Sequence, residues 1–101
     1  VLDALTNAYA GAGLYTSAFN AASKLVAAHP SEPCFRYNLA CALCGLGQLD
    51  EALGELTRAV ELGFHDFAYM ERDTDLRKLH SRAEFAALCK RAEQSQRGSK
   101  I

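Results

Sequence analysis

A 34-residue repeat constrains the fold of this 101-residue chain more than any other feature of its sequence. Shifting the sequence by 34 positions superposes identical residues at six places: Leu5 on Leu39, Ala8 on Ala42, Gly11 on Gly45, Gly13 on Gly47, Ala18 on Ala52 and Val26 on Val60. A period of this length is typical of proteins built from stacked helical units. Because one such unit cannot bury its apolar face alone, we expect neighbouring units to pack on one another.

Each unit has the pattern of two helices joined by a glycine turn. In the second unit, Ser31 is predicted to cap a helix with Pro33 in its first turn, where a missing N–H costs little. Apolar residues then recur at helical spacing up to the glycine turn at 45–47. A further amphipathic helix begins at Leu49 and is predicted to end at Gly63. The second unit is therefore a helical hairpin.

The first unit follows the same plan, whereas the last third of the chain departs from it. In the first unit we predict helices at 2–11 and 15–28 and a stop at Pro30. Beyond residue 64 the helical character continues, but the glycine turn and the 34-residue register are lost. There we expect a short helix at 67–71 and a last helix opened by a capping box at 81–84. The predicted layout is one all-α domain at 1–95, comprising repeat one (1–30), repeat two (31–64) and capping helices (65–95), with a polar disordered tail at 96–101.

Composition and charge exclude several classes of function. The net charge is −1, with acidic and basic residues interspersed, so the chain lacks the basic surface of a nucleic-acid binder or a polybasic membrane anchor. No apolar run approaches the roughly 18 residues that a membrane span needs, and the N-terminus lacks a signal-peptide pattern. We therefore expect a cytoplasmic protein with no nucleic-acid or membrane partner. Because the chain begins without methionine, we also expect it to be a processed protein or a fragment of a larger protein.

Cys41 and Cys44 form a C-x-x-C pair, which can indicate metal or redox chemistry. A structural zinc site needs a second pair of ligands, and none stands out in the sequence. A thioredoxin-like pair needs its first cysteine at a helix N-terminus, whereas Cys41 is predicted mid-helix. We interpret both residues as small apolar side chains on one helix face. The predictions are therefore no enzyme, no metal and no cofactor, with a cysteine-based redox or metal sensor as an alternative.

Four acidic residues between the repeats and the last helix are candidates for a calcium site. They are Asp66, Glu71, Asp73 and Asp75. They do not follow the Asp-x-Asp-x-Asp-Gly pattern of a calcium-binding loop. We interpret them as charges that favour helix N-termini and as solvated surface.

The period, the alternation of small and large positions, and the glycine turn resemble the tetratricopeptide repeat (TPR). The first unit matches the family pattern at Leu5, Thr6, Tyr9, Gly13, Tyr15, Ala18, Ala22, Leu25 and Pro30. The second unit matches it at Tyr37, Leu39, Ala40, Leu43, Gly47, Leu49, Ala52, Leu56 and Ala59, with Gly63 in place of the family's proline. The resemblance implies a right-handed superhelical stack of antiparallel helix hairpins, closed by a degenerate capping segment.

The resemblance also implies a non-catalytic protein–protein interaction module that acts as an adaptor or scaffold. In this family the first helix of each pair lines a concave groove that binds a peptide or helix of a partner. Carried over by position, the groove residues are Asn7, Tyr37, Asn38, Cys41, Cys44 and Arg72.

Two further expectations follow from the resemblance. A clamp for acidic chaperone tails uses two asparagines and three basic residues, of which this chain has Asn7, Asn38 and Arg72 but places Asp3 and Ala68 at the other two positions. A groove for another segment is therefore favoured. The alternative function is homo-oligomerisation through exposed end faces, with apolar residues such as Leu2 and Leu5 forming the contact.

Overall fold

The computed structural model describes residues 14–98, which form five α-helices and one 3-10 helix and contain no strand. In chain order they are α1 (Tyr15–Ala28), α2 (Pro33–Gly45), α3 (Leu49–Glu61), α4 (Phe67–Arg72), the 3-10 helix (Thr74–Leu79) and α5 (Ala83–Gly98). The fold is all-α, as predicted. The helix predicted at 2–11 lies outside the described residues. None of the helices in the described part is long and apolar enough to cross a membrane.

The helix starts keep the 34-residue spacing to the end of the described chain. The second helices of the three units begin at residues 15, 49 and 83, and the first helices of units two and three begin at 33 and 67. The prediction that this register is lost beyond residue 64 is therefore wrong for the helix starts. The separation along the chain between the starts of the first and second helices is the same in both units, from 33 to 49 and from 67 to 83, although the side chains of the third unit have diverged.

The first helix of the third unit is broken, unlike that of the second unit. Residues 67–79 occupy the span that α2 occupies 34 residues earlier, but they form α4 and the 3-10 helix on either side of Asp73. The Asp73 carboxylate accepts a hydrogen bond from the Asp75 N–H at 3.0 Å and so caps the 3-10 helix. An aspartate that binds a backbone N–H in this way competes with helix continuation.

The two glycine turns end their helices by the same mechanism. Gly47 and Gly63 have positive φ angles of 82° and 114°, respectively. After α2, the Gln48 N–H bonds to the Leu43 carbonyl, and after α3 the Phe64 N–H bonds to the Ala59 carbonyl, both at 2.9 Å. This is the Schellman pattern, in which glycine adopts the left-handed conformation. The turn predicted at 45–47 thus depends on Gly47.

The start of α2 and the end of α5 differ from the predictions. The residue that caps α2 is Glu32, not Ser31: its side chain accepts from the Cys34 N–H at 3.4 Å. Pro33 forces the preceding residue out of the helical region, so the cap is the residue next to it. At the other end, α5 continues to Gly98, three residues into the predicted tail, because good helix formers precede that glycine.

The core is centred on α2. Every residue of α2 from 37 to 44 is buried, and the helix packs against α1, α3 and the 3-10 helix. A helix that is buried on all sides lies inside the fold rather than at its surface. The largest fully buried side chains are Tyr37, Leu56, Met70, Leu76, Leu79 and Cys44.

Replacing two helical glycines with alanine is expected to change the stability of the chain in opposite directions. A Cβ atom on Gly45 would overlap the ring of Tyr15, whereas a Cβ on Gly54 meets open space. Gly45→Ala should lower the free energy of unfolding by about 1–3 kcal/mol through overpacking. Gly54→Ala should raise it by up to about 1 kcal/mol, because alanine favours the helix. Urea denaturation of both variants measures this, and equal stabilities would contradict the close approach of α1 to α2.

Candidate functional site beneath residues 64–79

The structure buries most of the groove residues that the sequence analysis predicts. Tyr37, Asn38, Cys41 and Cys44 are each 6% exposed or less. Arg72 is exposed. These four side chains of α2 lie in the protein interior and do not form an open surface. Asn7 and the end-face residues Leu2 and Leu5 lie outside the described part of the chain.

Residues 64–79, which we call the covering segment, contact two of these side chains, Tyr37 and Cys41. The ring of Phe64 stacks on that of Tyr37 with the centroids 4.5 Å apart and the planes 11° from parallel. The Tyr69 ring lies 5.7 Å from Tyr37 at 40°. Stacked aromatic pairs at these separations contribute beyond the area they bury. The covering segment is therefore held on α2 through Tyr37.

Asp73 forms the polar part of the same contact. Its Oδ2 accepts a hydrogen bond from the Tyr37 hydroxyl at 2.6 Å, and the Cys41 thiol donates to the same oxygen at 3.7 Å. A hydrogen bond from a hydroxyl to a carboxylate is short and strong. Asp73 thus caps the 3-10 helix with one oxygen and binds α2 with the other.

A second carboxylate lies beside this network. One donor atom each from Cys41, Asp73 and Asp75 lies within 4.8 Å of the other two. Burial raises the pKa of the Asp75 carboxyl, and the neighbouring Asp73 raises it further, while Arg77 opposes both. Burial, followed by the charges of Asp73 and Asp75, also raises the pKa of the Cys41 thiol well above its usual range. Cys41 is thus a protonated thiol at neutral pH, and its reactivity as a nucleophile is low.

Asn38 is the buried polar residue of α2. It is 2% exposed, and its Nδ2 donor has no acceptor among the residues described. A buried donor without a partner costs about 1–3 kcal/mol relative to one that is satisfied. Asn38 is therefore a predicted groove residue whose Nδ2 donor the described chain leaves unsatisfied.

Asp73 and Asp75 were missed as site residues, because the sequence analysis assigned them to helix N-termini and solvated surface. Asp73 does cap a helix, but both residues are half-buried against α2. The 34-residue period contains the signal that would have found them: it places Asp75 at the position equivalent to Cys41. In a stack of repeats, equivalent positions of adjacent first helices are neighbours. If the 34-residue register extends into the third unit, Asp75 is therefore expected beside Cys41.

Cys89 on α5 is a third buried thiol and gives a pH-dependent prediction. Burial, and secondarily Glu71, raises the pKa of Cys89 from 9.0 to about 11. Between these values the unfolded chain loses the proton and the folded chain keeps it, so stability falls as the pH rises. A rise of this size corresponds to roughly 3 kcal/mol. Urea denaturation from pH 8 to about 11 should therefore show a shallower decline in Cys89→Ala than in the wild type.

The control for this prediction is Cys34→Ala, which keeps the buried thiols and should decline as steeply as the wild type. Equal slopes in the wild type and in Cys89→Ala would contradict the assignment.

Comparison with known proteins gives no assignment: no family model, no curated protein and no solved structure matches this chain.

Proposed function

We propose that the chain is a non-catalytic protein-interaction module of the TPR type, which binds an extended peptide or helix of a partner protein. The continued 34-residue spacing of the helix starts supports the repeat architecture. Stacked helix pairs of this kind build extended binding surfaces. Because architecture alone does not define function, the proposal depends on a specific surface.

The observation that carries the proposal is the exposed pair Tyr69 and Arg72. The two residues are one turn apart on α4 and so lie on the same face. Tyr69 is 37% exposed although it also contacts Tyr37, and Arg72 forms no ion pair within residues 14–98. Tyrosine and arginine are among the residues that most often dominate binding energy at interfaces.

The chemistry of this pair indicates the kind of segment it would bind. Arg72 offers a guanidinium group, which binds carboxylates with two parallel hydrogen bonds. Tyr69 offers an aromatic face for an apolar side chain. The proposed ligand is therefore a segment with an acidic residue or terminal carboxylate beside an apolar residue. It would bind on the outer side of the covering segment and not on the buried face of α2.

A peptide-display selection against the immobilised chain tests this proposal. The wild type should enrich peptides that share an acidic and apolar pattern, and binding of a synthesised peptide should weaken more than about tenfold in a Tyr69→Ala, Arg72→Ala variant. The matched control is Leu46→Ala, Arg91→Ala, which also removes an exposed apolar side chain, here 39% exposed, and an exposed arginine. Circular dichroism verifies that both variants fold.

Two outcomes of this selection would count against the proposal. One is that no peptide pattern is enriched. The other is that the control variant loses binding as strongly as the Tyr69 and Arg72 variant, because binding would then not depend on this surface.

A further inference from the structure

We propose that Cys41, Asp73 and Asp75 form a binding site for a divalent transition metal ion, with Zn²⁺ as the best fit. This inference is independent of the proposed interaction function. It concerns the inner side of the covering segment, whereas the proposed partner surface is on its outer side.

The geometry brings three metal-binding groups together from distant parts of the chain. Cys41 lies on α2, and the two aspartates lie 32 or more residues later: Asp73 at the break after α4, and Asp75 in the first turn of the 3-10 helix. Their donor atoms are all within 4.8 Å of one another. Around a tetrahedral Zn²⁺, with Zn–S and Zn–O bonds of about 2.3 Å and 2.0–2.2 Å, neighbouring donor atoms lie about 3.3–3.7 Å apart. Small side-chain rotations would therefore close the site.

The charge of the cluster favours a cation. The cluster holds two carboxylates and the Cys41 thiol, which is 6% exposed, in a partly desolvated environment. The positive charge of Arg77 partly stabilises the Asp75 carboxylate. Two negative charges close together and away from water repel each other. A divalent ion between them is attracted to both, so the arrangement becomes favourable. Because a thiolate is a soft ligand, the set favours Zn²⁺ over Mg²⁺ or Ca²⁺.

One cysteine of the C-x-x-C motif, Cys41, has two carboxylate partners in this arrangement. The sequence shows no second Cys or His pair for the motif, whereas the fold places Asp73 and Asp75 beside Cys41. Cys44, which is fully buried, and Asp75 both line a cavity of about 40 Å³. This is room for at least one water molecule. A site with three protein ligands keeps a fourth position for a water, and Asp75 is the proposed ligand that lines this cavity.

Metal binding would change the protonation of the network in a defined way. The Cys41 thiol would form its bond to the metal as a thiolate, releasing one proton to solvent with no change in oxidation state. The hydroxyl of Tyr37, which already donates to Asp73 at 2.6 Å, would then orient a metal ligand.

Titration of the reduced chain with Co²⁺, a spectroscopic substitute for Zn²⁺, tests the proposal. One equivalent should produce a thiolate-to-cobalt charge-transfer band, and added Zn²⁺ should abolish it. Cys41→Ala and Asp75→Asn should each weaken binding by more than about tenfold. The matched control is Cys89→Ala, because Cys89 is also 6% exposed but is not part of the cluster.

Three results would overturn the proposal. They are the absence of a thiolate band in the wild type at millimolar Co²⁺, full binding by folded Asp75→Asn, and an equal loss of binding in Cys89→Ala. If Cys41→Ala fails to fold, the wild type and Asp75→Asn still test the proposal. Asp75→Asn is expected to fold, because the Asp75 side chain caps no helix.

Discussion

Replacing Tyr37 with alanine is expected to lower the free energy of unfolding by about 3–5 kcal/mol, which is the usual cost of deleting a buried aromatic ring. Tyr37 is 1% exposed, stacks on Phe64 and donates a short hydrogen bond to Asp73. Its loss removes both of these contacts between α2 and the covering segment. Because domains of this size have about 5–15 kcal/mol of stability, the loss is a large fraction of the total.

The Tyr37→Phe variant separates the ring from the hydroxyl. Phenylalanine keeps the stack on Phe64 but cannot donate to the Asp73 carboxylate, so we expect a smaller loss of about 1.5–3 kcal/mol. Urea denaturation monitored by circular dichroism measures both variants. If Tyr37→Ala were as stable as the wild type, Tyr37 would not hold the covering segment in place.

Leu56→Ala is expected to cost about 2–5 kcal/mol, because it leaves a cavity at a fully buried position. Leu56 lies on α3, which packs against both α2 and α5. The loss should therefore appear as one cooperative transition at lower urea concentration and not as local fraying.

Arg58→Ala is the control on the same helix. Arg58 is more than half exposed, and its ion pair with Glu61 has a separation of 3.8 Å at the surface. Surface pairs of this kind contribute little, so we expect a change within about 0.5 kcal/mol. Similar losses in the two variants would contradict the assignment of Leu56 to the core.

Local sequence signals were sufficient to predict most of the helix boundaries. The helix predicted at 15–28 is observed with those bounds, and the helix that begins at Leu49 ends two residues before Gly63. Turn glycines, proline and apolar spacing are short-range features, and they determine where a helix starts and stops. The error at Ser31 is of the same kind, since Pro33 directly determines which residue precedes the helix.

Contacts between distant segments could not be predicted in the same way. Tyr37 and Cys41 both donate hydrogen bonds to Asp73, which is more than 30 residues away and lies at the break in the first helix of the third unit. The groove residues were carried over on the expectation of an open surface. Whether the next segment covers that surface depends on packing in the third unit.

The most direct test of the account is an NMR titration of the isotope-labelled chain with a peptide enriched by display. We predict that the chemical shifts of Tyr69 and Arg72 change, while the contact between the Tyr37 and Phe64 rings persists. Such a result would place the partner on the outer side of the covering segment. Shift changes centred on Tyr37, Cys41 and Cys44 with loss of that ring contact would contradict it, because the peptide would then have displaced the covering segment and bound α2.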